Sequence, residues 1–140
     1  MAKDTTKIVE ELGICPDFKT FYSENRDYMV KEDLSQLLDK LIKKYDLKKS
    51  QIIRAAEMSE VYAYQIFSGR RIPDRKKLLC LSIAMKLSLD EVQTLLKCAG
   101  YSPLYVKLPF DSIILYGICK DLSVMEINEL LYEYGLETLG

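Results

Sequence analysis

Residues 50–73 read SQIIRAAEMSEVYAYQIFSGRRIP, and the order of caps, small residues and breakers in this stretch decides the fold. Ser50 is expected to cap a short helix running to about Glu57, with Ile52, Ile53 and Ala56 facing inward. A tight turn around Met58 and Ser59 follows. Ser59 is set to cap a second helix over 60–68, and Gly69 stops it, because glycine accepts the left-handed backbone at a helix C-terminus. Ala63 and Ile66 are its inward residues, and the small Ala63 side chain lets the two helices approach closely. Glu60, Val61, Tyr62, Tyr64 and Gln65 are left to face outward or sideways. Arg70, Arg71 and Arg75 follow at once.

Working outward, the chain reads as helix throughout, so the fold class is all-α. No segment has the alternation and turn spacing of a sheet. Upstream, Leu34, Leu37, Leu38, Leu41, Ile42 and Tyr45 form one apolar stripe and predict a helix over 33–45. Two shorter helices are expected before it, one ended by Gly13 and one opened by Pro16. Downstream, Pro73 and Asp74 open a fourth helix of the cluster. Ser88 and Glu91 form a capping box that starts a fifth, ending at Gly100. An extended linker, 101–109, carries Pro103 and Pro109. Helices over 111–119 and after the capping box Ser123 to Glu126 complete the chain. The expected organisation is an N-terminal helical extension (1–30), a five-helix domain (31–100) and a C-terminal helical lobe (101–140). Three readings stay open for that lobe, in order of preference: an extension of the core, a homodimer interface, or a sensor of a partner protein.

Composition removes several function classes. Hydrophobic residues make up 49% of the 140, enough for a core, yet no apolar run approaches the roughly 20 residues of a membrane span. The first residues alternate charges with single apolar residues and lack the core of a signal peptide, so the cytosol is the expected location. There are 4 cysteines, no Cys-x-x-Cys and no histidine, so no metal site is expected. Cys80, Cys98 and Cys119 fall in apolar helical patterns and are expected as small core hydrophobes. Without histidine, a Gly-rich phosphate loop, a nucleophile elbow or paired carboxylates, neither an enzyme nor a cofactor is expected.

The net charge of −1 conceals a strong asymmetry. Segment 40–86 holds 12 Lys/Arg against 4 Asp/Glu, or +8, while the remainder holds 8 against 17, or −9. A basic segment between acidic flanks is the footprint of a surface that meets phosphate. A salt-bridged, solvated helical surface gives the same count. The acidic Glu126, Glu129, Glu133 and Glu137 would keep the C-terminal lobe away from DNA.

Two short helices and a tight turn inside a helical cluster can set one helix into the major groove. On the second helix, the Gln65 amide suits adenine and Glu60 suits the cytosine amino group. Val61 and Tyr62 suit a thymine methyl or the sugar–phosphate backbone. Arg70, Arg71 and Arg75, with Lys48, Lys49 and Ser50 at the start of the bracing helix, are candidate phosphate contacts, which supply affinity and register.

Segments 50–59, 60–69 and 70–73, followed by Ser88-Leu89-Asp90-Glu91, together resemble lambda-repressor-like (Cro/XRE-type) helix-turn-helix regulators. The resemblance covers about half the chain, 33–99. It implies a five-helix DNA-binding domain acting as a homodimer on a palindromic double-stranded operator, as a transcriptional regulator and most simply a repressor. It assigns Glu60, Val61, Tyr62 and Gln65 to base reading, and Ser68, Arg70 and Arg75 to the DNA backbone. In the turn, Glu57 stands where the family usually has glycine, and Phe67 replaces the usual polar residue before Ser68. The alternative is the same fold used as a protein-interaction module, antitoxin-like or adaptor, docking a protein partner through its tyrosines.

Overall fold

The computed structural model describes residues 4–29 and 33–140, all helix and connecting segments with no strand among them. They fall into two compact units, within Met1–Lys31 and Glu32–Gly140. The expected boundary between residues 30 and 31 lies outside the described residues.

In the first unit, α1 (Thr5–Ile14) is capped by the Asp4 side chain and α2 (Phe18–Asn25) by that of Asp17, one residue past Pro16. A short 3-10 turn, Arg26–Tyr28, follows. α1 buries none of its residues, and Val9, Leu12 and Ile14 are exposed.

The second unit holds α3 (Leu34–Lys44), α4 (Lys49–Ala55), α5 (Glu60–Phe67), α6 (Arg75–Ala84), α7 (Leu89–Cys98), α8 (Pro109–Cys119) and α9 (Val124–Glu133). Five of the seven start with a side-chain cap, and α8 starts with Pro109 in its first turn instead. Ser59 accepts from the Tyr62 amide, Asp74 from that of Lys77, and complete capping boxes open α3 (Asp33 with Gln36), α7 (Ser88 with Glu91) and α9 (Ser123 with Glu126). α4 differs from expectation. Its cap position is Lys48, which offers no side-chain bond, and Ser50 is the second helical residue.

The ends share one device. Each of α3 to α9 closes through a residue of positive φ: Asp46, Glu57, Gly69, Lys86, Gly100, Asp121 and Gly135. In each case the next amide reaches back to a carbonyl in the last turn, as in Leu47 to Ile42 and Met58 to Ile53. Six of those next residues (Leu47, Met58, Leu87, Tyr101, Leu122, Leu136) are apolar and pack on the core. The seventh, after α5, is Arg70, which is exposed, so there the chain leaves the core and carries charge into solvent. Gly69 is doubly constrained, with φ +84 and with Ser35 Oγ 3.0 Å from where a Cβ would stand.

One hydrophobic cluster runs through all seven helices, from Leu38 on α3 through Ile66, Leu79, Leu81, Leu95 and Ile114 to Ile127 and Leu131. Removing any of these from water stabilises the fold by about 1.5–3 kcal/mol. α8 and α9 are therefore part of the same compact unit as α3 to α7. Segment 101–108 is fixed to it as well. Leu104 is buried and exchanges two hydrogen bonds with the Gln93 amide, and Tyr101 donates to the Pro73 carbonyl at 2.7 Å. The chain's end is anchored too: Leu139 is buried, and its amide donates to Asn128 Oδ1.

The cysteines are free and correct one expectation. Cys80 is buried, Cys15 and Cys98 are half-buried, but Cys119, expected in the core, is exposed. Burial pushes the Cys80 thiol up to about 11, so it stays protonated and unreactive. No described helix is long and apolar enough to cross a membrane.

Candidate nucleic-acid interface

The outer surface of α5 is organised by its buried one. Ala63 and Ile66 are 0% and 1% exposed, and at 100° per residue the opposite face carries Val61 and Tyr64, flanked by Gln65 and Glu60. Val61 is 72% and Tyr64 47% exposed. The centre of the outward face is thus apolar, with cations on both flanks. On one side Lys49 Nζ lies 5.6 Å from the Phe67 ring centre, and Phe67 meets Tyr64 edge-on. On the other, the Arg71 guanidinium lies 5.2 Å from the Tyr62 ring centre, and its Nε donates to Gln65 Oε1 at 3.0 Å. Burial, with the Asp74 carboxylate adding to it, pushes the Tyr62 phenol above its ordinary range, so it remains neutral.

The charge asymmetry is partly spent inside the fold. Lys44 pairs with Glu91, Arg75 with Asp111, Lys76 with Glu137 and Lys86 with Asp121. Each of these four pairs joins the basic segment to an acidic flank, and Lys43 pairs with Asp39. Among the described residues, Lys48, Lys49, Arg54, Arg70, Arg71 and Lys77 have no carboxylate within ion-pair distance. Lys49, Arg70 and Arg71 are the ones that α5 and its exit loop bring together.

No family model, curated protein or solved structure matches the chain.

The residues expected from the sequence at DNA are exposed or half-buried, and one of them, Arg75, is committed elsewhere. Glu60 and Val61 are exposed on α5, while Tyr62 and Gln65 are half-buried and engaged with Arg71. Ser68 is exposed, and its hydroxyl donates to the Gln65 carbonyl. Lys48 and Ser50 are exposed at the start of α4. α4 has only 7 residues, so its dipole is weak and the lysine side chains carry the charge there. Arg75, expected at phosphate, is turned the other way. Both of its terminal nitrogens bind Asp111 at 3.0 Å, and Nε and Nη2 donate to the Ser102 and Pro103 carbonyls. Asp111 is 2% exposed and also accepts from the Tyr105 amide. An arginine so committed is a clamp between the start of α6 and segment 102–111, and it has no fork left for phosphate.

One residue of this face was given no DNA contact from the sequence. Tyr64, there left among the outward residues, sits in the middle of the exposed face of α5; its i+3 spacing from Val61 is the signal.

Proposed function

We propose that α3 to α7 form a lambda-repressor-like helix-turn-helix domain and that the protein is a cytoplasmic, sequence-specific DNA-binding regulator, in its simplest form a repressor. In this reading α4 braces across the backbone and α5 enters the major groove of a double-stranded operator. Val61 and Tyr64 meet base edges and thymine methyls, Glu60 and Gln65 border them, and Lys48, Lys49, Ser50, Ser68 and Arg70 meet the sugar–phosphate strands. Arg75 is left out of the contact set. A homodimer would place two α5 helices about one helical turn of DNA apart on a palindromic site.

The observation that carries the reading is the α5 face itself, an apolar centre bracketed by Lys49 on one flank and Arg71 on the other, with the exposed Arg70 in the loop that leaves the helix. None of these cations has a carboxylate within ion-pair distance among the described residues, although Asp39 is near enough to feel the charge of Lys49, while others of the same segment are paired directly. Binding of labelled double-stranded DNA across 50–200 mM salt tests it. The expected result is an affinity that falls steeply with salt and drops again in Arg70→Ala. Salt-insensitive or absent binding rejects it.

A second reading has its own observation. Pro109, Ile113, Tyr116, Leu130 and Tyr134 line a groove of about 680 Å³ between α8 and α9. Tyr116 and Tyr134 are 52% and 70% exposed. A protein-interaction module would use this face, and a defined partner that co-purifies at one-to-one stoichiometry, together with no DNA affinity, would favour it.

A further inference from the structure

The contacts of Arg71 bear on which base is read. We propose that Arg71 is a base-reading residue that recognises guanine from the major groove, held end-on by Gln65 and Tyr62. The proposal rests on the DNA-binding reading above and deepens it.

A free arginine in an exposed loop samples many rotamers, and fixing it costs up to about 2 kcal/mol of side-chain entropy. Arg71 is already engaged in the absence of a ligand. Its Nε donates to Gln65 Oε1 at 3.0 Å, and its guanidinium lies over the Tyr62 ring, 5.2 Å from the centre. Tyr62 and Gln65 stand three residues apart, one turn of α5, on the flank next to the exposed Val61 and Tyr64. The loop backbone contributes, because the amides of Arg70 and Arg71 both donate to the Gln65 carbonyl, at 2.9 and 3.2 Å.

This arrangement sorts the guanidinium's donors. Nε is used by Gln65, whereas Nη1 and Nη2 have no partner among the described residues. Two parallel N–H groups at the free end of a guanidinium match O6 and N7 of guanine, the commonest specific contact in the major groove. They do not match adenine, which offers N7 beside an amino donor. The same bond changes the role of Gln65. Its carbonyl oxygen, which bidentate adenine recognition requires, already accepts from Arg71. Gln65 is a positioning residue for Arg71, and the preferred base shifts from adenine to guanine. Arg70, with no such holder, remains a phosphate contact.

The test selects binding sites from random double-stranded DNA with the intact protein, then replaces single guanines in the selected site by 7-deazaguanine, which lacks the N7 acceptor. The expected result is one guanine whose replacement weakens wild-type binding about tenfold or more but leaves Arg71→Ala unaffected. Gln65→Ala should keep salt-dependent binding yet lose the preference for that guanine. Far-UV circular dichroism and thermal melts confirm that both variants are folded. If Arg71→Ala weakens binding equally on all sequences with a shallower salt slope, Arg71 is a phosphate contact and the proposal is overturned while the DNA reading stands. A selected site in which 7-deazaguanine acts equally on wild type and Arg71→Ala overturns it in the same way. If no DNA is selected at any salt, the DNA reading falls and the proposal falls with it.

Discussion

Removing either partner of the Arg75–Asp111 pair tests whether this arginine belongs to the fold. The carboxylate is 2% exposed and the Arg75 side chain 23%. In Arg75→Ala the carboxylate keeps one donor, the Tyr105 amide, and is otherwise shut from water. Breaking a buried pair this way costs about 3–5 kcal/mol, and the near-complete burial of Asp111 argues for the upper half. In Asp111→Ala the guanidinium retains the Ser102 and Pro103 carbonyls and some water, so the loss is smaller, about 3 kcal/mol, including the orphaned Tyr105 amide. The double variant leaves no unpaired charge and should cost less than the sum of the singles by about 2 kcal/mol. Urea unfolding followed by circular dichroism measures all three, and each single variant should melt roughly 10 °C or more below wild type. Single-variant losses under about 1 kcal/mol with no coupling would mean that the pair acts as an ordinary surface ion pair. Arg75 would then be available to DNA, and its exclusion from the interface would be wrong.

Glu57 holds φ +55 at the turn between α4 and α5, where the resembled family has glycine. Glu57→Gly should stabilise by about 0.5–1 kcal/mol, the relief of left-handed strain exceeding the added chain entropy; destabilisation in urea titration would show that its side chain contributes. At Gly117 a Cβ would stand 2.6 Å from Ile127 Cγ1, and Ile127 is fully buried. Gly117→Ala should therefore cost about 1–3 kcal/mol, with partial rescue by Ile127→Val, and an unchanged melting temperature would refute the close α8–α9 crossing. Burial raises the Glu91 carboxyl, but hydrogen bonds from Tyr45, the Ser88 amide and Lys44 outweigh it and bring the group down to about 2. The stability it contributes is present above its ordinary value of 4.5 and is lost as pH falls toward 2. Glu91→Gln should accordingly be less stable than wild type at pH 7 and converge with it in acid, and a gap that persists at pH 2 would contradict this.

What the sequence made legible was local. Ser59, Asp74, Ser88 and Ser123 each announce a helix start through a bond spanning three residues, and Gly69 and Gly100 announce ends the same way. The start of α4 was misplaced by two residues because Ser50 has the chemistry of a cap while Lys48 has its backbone. Long-range partnerships left no local trace. Arg75 and Asp111 are 36 residues apart, and nothing near Arg75 distinguishes it from Arg70 and Arg71, which flank the exposed loop. The charge count had the same weakness. It located a basic segment but could not show that Lys44, Arg75, Lys76 and Lys86 are each neutralised by a carboxylate from an acidic flank. Cys119 follows an apolar pattern yet is exposed, because it lies with Tyr116 on the outer side of α8 while Gly117 of the same turn is buried.

The proposal turns on whether the α5 face, with Lys49 beside it and the exposed Arg70 at its exit, binds double-stranded DNA. It is tested most directly by measuring affinity for a selected DNA site against salt concentration in wild type, Lys49→Ala and Arg70→Ala. Log affinity should fall linearly with log salt, with the slope of each variant shallower by about 1. Wild-type binding that ignores salt, or slopes identical in all three proteins, would contradict it.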